Sequence, residues 1–219
     1  MDFFKNMHRK SIIFADDQLI IRAGIRALLD TMPQYTVVAE CAEGGQAVEA
    51  ACRLRPEVVI LDIAMPGVGG IEAARRIHQC EPNIKILILS SIDRQEVIEQ
   101  ALNAGAMGYL HKEFILDELT RALEFILRDV RYLSPKIQDS LIQSGADRDR
   151  VVSSLLTPRQ IEILRLVASG QTNKEIAISL GISPKTVEFH RAQMMERLGV
   201  RDVTGLTRYA MKKGIVDPG

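Results

Sequence analysis

Short apolar runs alternate with longer amphipathic segments over residues 1–130. The runs are rich in β-branched residues, which is typical of strands, whereas the segments between them repeat apolar residues at helical spacing. Strands that alternate with helices indicate βαβ units and a parallel sheet. The predicted strands are Ser11–Ala15, Thr36–Ala39, Val58–Leu61, Ile84–Leu89 and Met107–Leu110. The predicted helices are Leu19–Asp30, Gln46–Leu54, Ile71–Gln79, Gln95–Asn103 and Leu116–Leu127.

Two of the predicted strands contain an unbroken apolar stretch, Val58–Leu61 and Ile86–Leu89. A strand that is apolar on both sides is typical of a parallel sheet covered by helices on both faces. We therefore predict that residues 1–130 form a doubly wound α/β domain with a five-stranded parallel sheet.

A different pattern begins after residue 130. Residues 131–155 are more polar, and they contain one short predicted helix, Pro135–Ile142, before a stretch that favours a flexible linker. Residues 156–219 are helical throughout, and glycines separate four predicted helices. The second and third of these are joined by Gly181-Ile182-Ser183, a short turn that is typical of a helix-turn-helix. The sequence therefore predicts a small all-α domain after the linker.

The helix starts in this second part carry capping residues. Thr157 is followed three residues later by Gln160, and Thr172 is followed by Glu175 in the same way. Both pairs predict a capping box, in which the two side chains bind each other's backbone N–H groups. Asp202 is expected to cap the fourth helix.

Charge divides the chain, although its formal net charge is zero. Residues 156–219 contain ten Lys/Arg and six Asp/Glu, so the rest of the chain is acidic. A basic helical domain favours a polyanion as partner, although an ordinary scatter of surface charge would give the same count. No apolar run is long enough to cross a membrane, and residues 1–9 lack the apolar segment of a secretory signal. We therefore expect no membrane association. Because the three cysteines are odd in number and have no metal-ligand spacing, we also expect a reduced, cytoplasmic protein.

Polar side chains follow four of the predicted strands. Asp16 and Asp17 come directly after the first strand and Asp62 after the third, while Ser90 follows the fourth and Lys112 the fifth. Ligands of a doubly wound sheet bind beyond the carboxyl ends of its strands, so the carboxylates converge there if the first and third strands are neighbours. Carboxylates that lie so close repel each other unless a cation neutralises them, and Mg²⁺ prefers oxygen ligands of this kind. The hydroxyl of Ser90 and the ammonium of Lys112 could in addition hold a phosphoryl group. Alternatively, Asp16 is only the N-cap of the first helix.

Residues 10–130 resemble the receiver domain of bacterial response regulators, which has a flavodoxin-like fold. The resemblance is carried by Asp16-Asp17, Asp62-Ile63-Ala64-Met65-Pro66 with Gly70, Ser90-Ser91 and Gly108-Tyr109-Leu110-His111-Lys112, and by the spacing between them. The sequence departs from the pattern at Glu113, where many receivers have proline, so no cis peptide is expected there.

The resemblance implies a magnesium site. Asp17, Asp62 and the backbone carbonyl of Ala64 would hold Mg²⁺, with Asp16 acting largely through water. The ion would shield negative charge while an anionic carboxylate attacks phosphorus.

The resemblance also implies a phosphorylation site. Asp62 would accept a phosphoryl group from the histidine of a sensor histidine kinase, and Lys112 would pair with the phosphoryl oxygens. Ser90 would move to hydrogen-bond the phosphate, and Tyr109 would swing inward behind it as the switch aromatic. Because such a domain catalyses only its own phosphoryl transfer and dephosphorylation, the protein is not expected to be an enzyme.

Residues 156–213 resemble the four-helix DNA-binding domain of the LuxR/FixJ/NarL type. The motifs are Leu156-Thr157-Pro158-Arg159-Gln160, Asn173-Lys174-Glu175-Ile176-Ala177, Thr186-Val187-Glu188-Phe189-His190-Arg191 and Leu198-Gly199-Val200. The resemblance implies that the helix near residues 184–198 is the recognition helix, which enters the major groove of double-stranded DNA.

Periodicity divides this recognition helix into an inward and an outward face. The inward face is expected to contain Val187, Met194 and Leu198. The side chains predicted to face the bases are Lys185, Glu188, Phe189 and Ala192, and Thr186 belongs to the same DNA-binding surface. The side chains predicted to contact phosphates are Lys174, His190, Arg191 and Arg201. Alternatively, Phe189 packs under the linker or the first domain, and His190 is a core histidine.

Together the two resemblances imply a transcriptional regulator that phosphorylation controls. The unphosphorylated receiver can cover the recognition helix, and phosphorylation would promote a homodimer through the receiver and the last helix, Val203–Lys213. A phosphatase of the haloacid-dehalogenase kind would instead have its nucleophilic aspartate after the first strand and no helix-turn-helix. A ligand-sensing LuxR regulator would have a small-molecule pocket in place of the carboxylates, and a phosphorylation-independent regulator would usually lack an aspartate or the lysine.

Overall fold

The chain forms two compact units, Met1–Ala146 and Asp147–Gly219. Their structure is a computed structural model that describes residues 9–143 and 156–216. Within these ranges, no helix combines the length and the apolar character needed to cross a membrane.

Strands and helices alternate in the first unit, as the pattern of apolar runs predicts. Its strands are β1 (Lys10–Ala15), β2 (Tyr35–Cys41), β3 (Val58–Asp62), β4 (Lys85–Ser90), β5 (Ala106–His111) and β6 (Tyr132–Leu133). Its helices are α1 (Leu19–Asp30), α2 (Gly44–Leu54), α3 (Gly70–Cys80), α4 (Gln95–Asn103), α5 (Ile115–Leu127) and α6 (Pro135–Gln143). A short 3₁₀ turn, Lys112–Phe114, joins β5 to α5.

The described strands form one parallel sheet in the order β2-β1-β3-β4-β5-β6. This order confirms the doubly wound α/β fold, because the chain runs from β1 to β2 on one side and then returns to place β3 on the other. The predicted number of five strands is wrong by one. The additional strand, β6, has only two residues and pairs with β5, and so short a strand has no periodicity that a sequence pattern could reveal.

The core of this unit lies on both faces of the sheet. Every residue of β3 is buried, as the unbroken apolar run predicts. On one face, Leu119 and Leu123 of α5 pack with Ile60 and Leu87 of the sheet. Because burying an aliphatic side chain of this size contributes about 1.5–3 kcal/mol, the packing of α5 against β3 and β4 stabilises the sheet that carries the site.

The elements β6 and α6 belong to the first unit, whereas the sequence pattern assigns residues 131–155 to the linker. The predicted short helix is present as α6, and its residues Ile137 and Leu141 are buried. The backbone N–H of Ser134 also donates to the carbonyl of Tyr109 in β5 at 3.0 Å. The first unit therefore extends at least to Gln143, and the rest of the predicted linker, residues 144–155, lies outside the described residues.

Two of the three cysteines are bonded to each other, so the expectation of a fully reduced chain is wrong for this pair. Cys52 of α2 and Cys80 of α3 form a disulfide with their Cα atoms 6.2 Å apart. The sequence separates them by a strand, and only the packing of α2 beside α3 brings them together. Cys41 is free and buried, and this burial raises the pKa of its thiol.

The second unit contains four helices within residues 156–216: α7 (Pro158–Ala168), α8 (Asn173–Leu180), α9 (Pro184–Leu198) and α10 (Val203–Lys212). Both predicted capping boxes, at Thr157 and Thr172, are present, and the side chain of Asp202 accepts from the backbone N–H of Gly205 at 2.7 Å. Gly181 ends α8 with a positive φ of 63°, a conformation that glycine adopts without strain. The predicted helix-turn-helix is thus formed by α8 and α9 around this turn.

Candidate functional site: an acidic pocket and an exposed helix face

Four strand ends gather polar side chains at one edge of the sheet. Asp16 follows β1, Asp62 ends β3, Ser90 ends β4 and Lys112 follows β5. Because β1 and β3 are neighbours, carboxylate oxygens of Asp16, Asp17 and Asp62 lie within 4.8 Å of one another. The predicted convergence of the three carboxylates is therefore confirmed.

Lys112 is the positive charge of this cluster. Its Nζ lies 2.7 Å from Oδ2 of Asp16 and 3.1 Å from Oδ2 of Asp62, and its side chain is only 12% exposed. Burial opposes the charge of the ammonium, but the hydrogen bonds to Asp16 and Asp62 outweigh it and raise the pKa of Lys112. For Asp62, burial raises the pKa, and the nearby charge of Asp16 adds to this effect against the opposing influence of Lys112.

The cluster fits a hard divalent cation. Asp16 and Asp62 are buried while Asp17 is exposed, so the three carboxylates form a site with one open side. Among the described residues, Oδ2 of Asp16 and Oδ2 of Asp62 have no well-aligned hydrogen bond beyond the ion pair with Lys112. Buried carboxylate oxygens of this kind are suited to Mg²⁺, which binds through one or two carboxylates and keeps several waters.

Asp16 does not cap the first helix. Gln18 holds the N-cap position of α1, and Oδ1 of Asp16 accepts from the backbone N–H of Gln18 at 2.9 Å. The side chain of Arg22 donates to the carbonyl oxygen of Asp16 at 2.6 Å. One oxygen of the Asp16 carboxylate therefore binds the Gln18 N–H and the other contacts Lys112, which favours the site over the helix-cap alternative.

The loop after Asp62 is packed closely against the end of β3. Gly70 begins α3, and a Cβ at this position would lie 1.9 Å from the carbonyl oxygen of Asp62. Only glycine therefore allows α3 to start beside the site. Ala64 lies in this loop and is exposed, and its backbone N–H favours the ionised form of Asp62.

Ser90 and Tyr109 are linked through the loop after β4. The backbone N–H of Ile92 donates to Oγ of Ser90 at 3.1 Å, and the hydroxyl of Tyr109 donates to the carbonyl of Ile92 at 2.6 Å. Tyr109 is fully buried, and this burial raises the pKa of its phenol to about 12. The aromatic ring already occupies the inward position in this structure, and its movement on phosphorylation stays a prediction.

The two faces of α9 match their prediction. Val187 and Met194 are fully buried and Leu198 is half-buried. The outward side chains, Lys185, Glu188, Phe189 and Ala192, are all exposed, with Phe189 at 37%. The aromatic ring of Phe189 is thus partly exposed on the outward face of α9.

The four residues predicted to contact phosphates differ in their exposure to solvent. Lys174 and Arg201 are exposed, and Arg191 is half-buried. His190 is only 4% exposed, because it lies three residues after Val187 and four before Met194 on the inward face. The placement of His190 favours the core alternative over a DNA contact.

Two further residues complete this surface. Thr186 is half-buried, and its hydroxyl lies 2.8 Å from the hydroxyl of Ser183, the N-cap of α9. Asn173, which the sequence motif contains but which we did not predict as a site residue, contacts both Glu188 and Arg191. No local pattern signals this contact, because Asn173 lies on a different helix.

Comparison with known proteins agrees with both units. Residues 12–124 match the family of response regulator receiver domains, and residues 154–210 match the luxR family of bacterial regulatory proteins. The chain is 35% identical to the oxygen regulatory protein NreC of Staphylococcus epidermidis over 94% of this chain and 99% of that protein. It is 32% identical to the transcriptional regulatory protein DegU of Brevibacillus brevis over 96% of this chain and 97% of that protein. The structure of a complex of the response regulator RcsB with DNA matches with a TM-score of 0.58, 27% identity and coverage of 92% and 98%.

A parallel sheet with an acidic pocket at its carboxyl edge, followed by a helix-turn-helix, defines a receiver joined to a DNA-binding unit. The chain belongs to the two-component response regulators, and within them to the transcriptional regulators with a LuxR-type DNA-binding domain.

Proposed function

We propose that phosphorylation of Asp62 controls how this transcriptional regulator binds DNA. The observation that carries the proposal is the arrangement of Asp62 beside Asp16, Asp17 and Lys112. The Asp62 carboxylate is the nucleophile, and it accepts the phosphoryl group from the histidine of a sensor histidine kinase. Lys112 balances the negative charge that the phosphoryl oxygens bring. The receiver catalyses no reaction other than its own phosphorylation and dephosphorylation.

Asp17, Asp62 and the carbonyl of Ala64 would hold Mg²⁺, with Asp16 behind them. The ion, when bound, supplies charge that shields the attack of one anion on another. The residues of this chain orient the nucleophile, since the backbone N–H of Ala64 and the ammonium of Lys112 both bind the Asp62 carboxylate.

Three exposed apolar side chains at helix starts near the pocket support docking of the kinase. Leu19 and Ile20 at the start of α1 are 72% and 81% exposed, and Leu116 at the start of α5 is 70% exposed. Both helix starts follow strand ends that carry site residues. Large apolar side chains exposed in this way are typical of a protein-protein contact.

Contacts of α6 support a response of this helix to phosphorylation of the pocket. Ser140 donates to Asp93, in the loop after β4, at 3.2 Å. Lys136 forms an ion pair with Glu113, directly after Lys112, and lies 5.6 Å from the ring centre of Phe114. Since α6 touches both loops that follow the phosphate-binding residues, a shift of either loop would displace this helix.

DNA recognition is proposed for the outward face of α9. Lys185, Glu188, Phe189 and Ala192 would meet base edges in the major groove, with Thr186 at the edge of this surface. Lys174, Arg191 and Arg201 would contact phosphates. The role is supported by the similarity to a regulator solved with DNA and by the exposure of Lys174, Lys185, Glu188, Phe189, Ala192 and Arg201. We further propose that the phosphorylated protein acts in the cytoplasm as a homodimer on two half-sites.

The phosphorylation step is tested by mass spectrometry. Incubation with phosphoramidate and Mg²⁺ is expected to add one phosphoryl group, a gain of about 80 Da, and Asp62→Asn should abolish the gain. Binding of duplex DNA should then increase for the phosphorylated wild type alone. A mass gain that persists in Asp62→Asn, or that is unaffected by removal of Mg²⁺ with EDTA, would refute the proposed site.

A further inference from the structure

Asn173, the first residue of α8, contacts two charged side chains of α9. Its Oδ1 accepts a hydrogen bond from Nη1 of Arg191, and its Nδ2 donates one to Oε1 of Glu188 at 3.4 Å. Glu188 and Arg191 are three residues apart and therefore lie on the same side of their helix. The Asn173 amide thus bridges an acid and a base on the proposed recognition helix.

An amide is chemically suited to this bridge. The guanidinium of Arg191 can only donate hydrogen bonds and the ionised carboxylate of Glu188 can only accept them, whereas an amide offers both functions. A single orientation of the Asn173 side chain satisfies both neighbours. An aspartate would still accept from Arg191 but would bring a second negative charge to Glu188, and an alanine would bind neither.

The backbone that carries Asn173 is itself held firmly. Thr172 and Glu175 form a capping box around it, in which the Glu175 carboxylate accepts from the backbone N–H of Thr172 at 2.7 Å. Glu188, in contrast, is exposed and has several rotamers open to it. The bond from Asn173 is therefore able to select one of them.

We propose that Asn173 is a positioning residue that sets the base preference of α9 by holding Glu188 and Arg191 in one arrangement before DNA binds. The inference rests on the proposed role of α9 in base recognition. A side chain that is already ordered loses less conformational freedom on binding. With Oε1 engaged by Asn173, the second carboxylate oxygen of Glu188 is left for an amino group at a base edge, such as N4 of cytosine.

The test measures base preference and salt dependence separately. Full-length wild type, phosphorylated with phosphoramidate, selects its preferred site from a library of randomised DNA duplexes. Wild type, Asn173→Ala, Asn173→Asp, Glu188→Ala and the double variant Asn173→Ala/Glu188→Ala are then titrated with that duplex and with its single-base variants at several salt concentrations. Lys174→Ala is the matched control, because Lys174 is the next residue on α8 and is proposed to contact only phosphate.

Asn173→Ala is expected to reduce the preference at the base pair read by Glu188 about tenfold without changing the salt slope. Asn173→Asp should reduce it at least as much, because its carboxylate repels Glu188. Lys174→Ala should keep the preference and lower the salt slope by about one unit. Adding Asn173→Ala to Glu188→Ala should cause no further loss at that base pair.

Three results would overturn the inference while leaving DNA recognition intact: unchanged preference in both Asn173 variants, a salt slope that falls as in Lys174→Ala, or additive losses in the double variant. A fall in slope would show that Asn173 supports phosphate contact, directly or through Arg191, in place of base preference. If the phosphorylated wild type selects no sequence at all, the proposed role of α9 fails as well. The two failures are therefore distinguishable.

Discussion

Replacing Lys112 with methionine removes the positive charge that holds the acidic pocket together. The ammonium binds two carboxylates that are almost fully buried, Asp16 and Asp62. Removing one partner of a buried ion pair typically costs about 3–5 kcal/mol, because the remaining charge is left without compensation. We expect a loss near the lower limit, about 3 kcal/mol at neutral pH, since Asp62 can take up a proton and relieve part of the repulsion.

The pH dependence of Lys112→Met follows from the pKa shifts. The pKa of Lys112 is raised above its ordinary value of 10.5, so its stabilising effect is fully present at neutral pH and is lost only under strongly alkaline conditions. Burial raises the pKa of Asp62 above its ordinary value of 3.8, so the ionised carboxylate opposes folding at neutral pH. The loss caused by Lys112→Met should therefore shrink as the pH falls toward about 4, because the Asp62 carboxylate takes up a proton.

Urea unfolding followed by circular dichroism, in EDTA at neutral pH and again near pH 4.5, measures this effect. Arg53→Met removes an exposed cation of the same unit and should change the unfolding free energy by less than about 0.5 kcal/mol. Addition of Mg²⁺ should restore part of the stability of Lys112→Met, because a cation that binds only the folded state stabilises it. A Lys112→Met protein as stable as the Arg53→Met control would refute the reasoning.

Three further changes test other parts of the fold. Gly70→Ala should lower the unfolding free energy by about 1–3 kcal/mol, because its Cβ would lie 1.9 Å from the carbonyl oxygen of Asp62. Gly24 lies in the interior of α1, and a Cβ there would have nothing within 4 Å, so Gly24→Ala should raise the unfolding free energy by about 0.5–1 kcal/mol. Equal effects of the two alanines in urea unfolding would contradict this. Asp62→Asn should raise the unfolding free energy at neutral pH, because it removes a buried carboxylate whose pKa is raised, and this gain should vanish below pH about 4. A gain that does not depend on pH would argue against the raised pKa of Asp62. Thr172→Ala should cost about 1 kcal/mol by removing a capping box, and an unchanged calorimetric transition of the second unit would rule out that contribution.

The structural features that depend only on residues close together in the chain could be predicted from the sequence. The alternation of apolar and polar residues placed five strands and the helices between them, and it divided α9 into the buried Val187 side and the exposed Glu188 side. Capping residues such as Thr157 marked where helices start. Periodicity and capping act within a few residues, so the linear order of residues contains them completely.

The meeting of the site residues at one edge of the sheet could also be predicted from the sequence, but only with the rule that ligands bind beyond the carboxyl ends of the strands of a doubly wound sheet. Asp16 and Asp62 were expected to meet if β1 and β3 were neighbours, and the strand order satisfies this condition. His190 shows the limit of such reasoning at a single residue. It was expected among the phosphate contacts, although its spacing from Val187 and Met194 already placed it on the inward face.

Only the tertiary structure decided which distant side chains bind each other. The disulfide between Cys52 and Cys80, the addition of β6 to the sheet and the bridge from Asn173 to Glu188 all join different elements. Such contacts depend on the distances and angles between packed helices and strands. A sequence by itself determines the period and the ends of each element, whereas packing in three dimensions determines which of their side chains come within bonding distance.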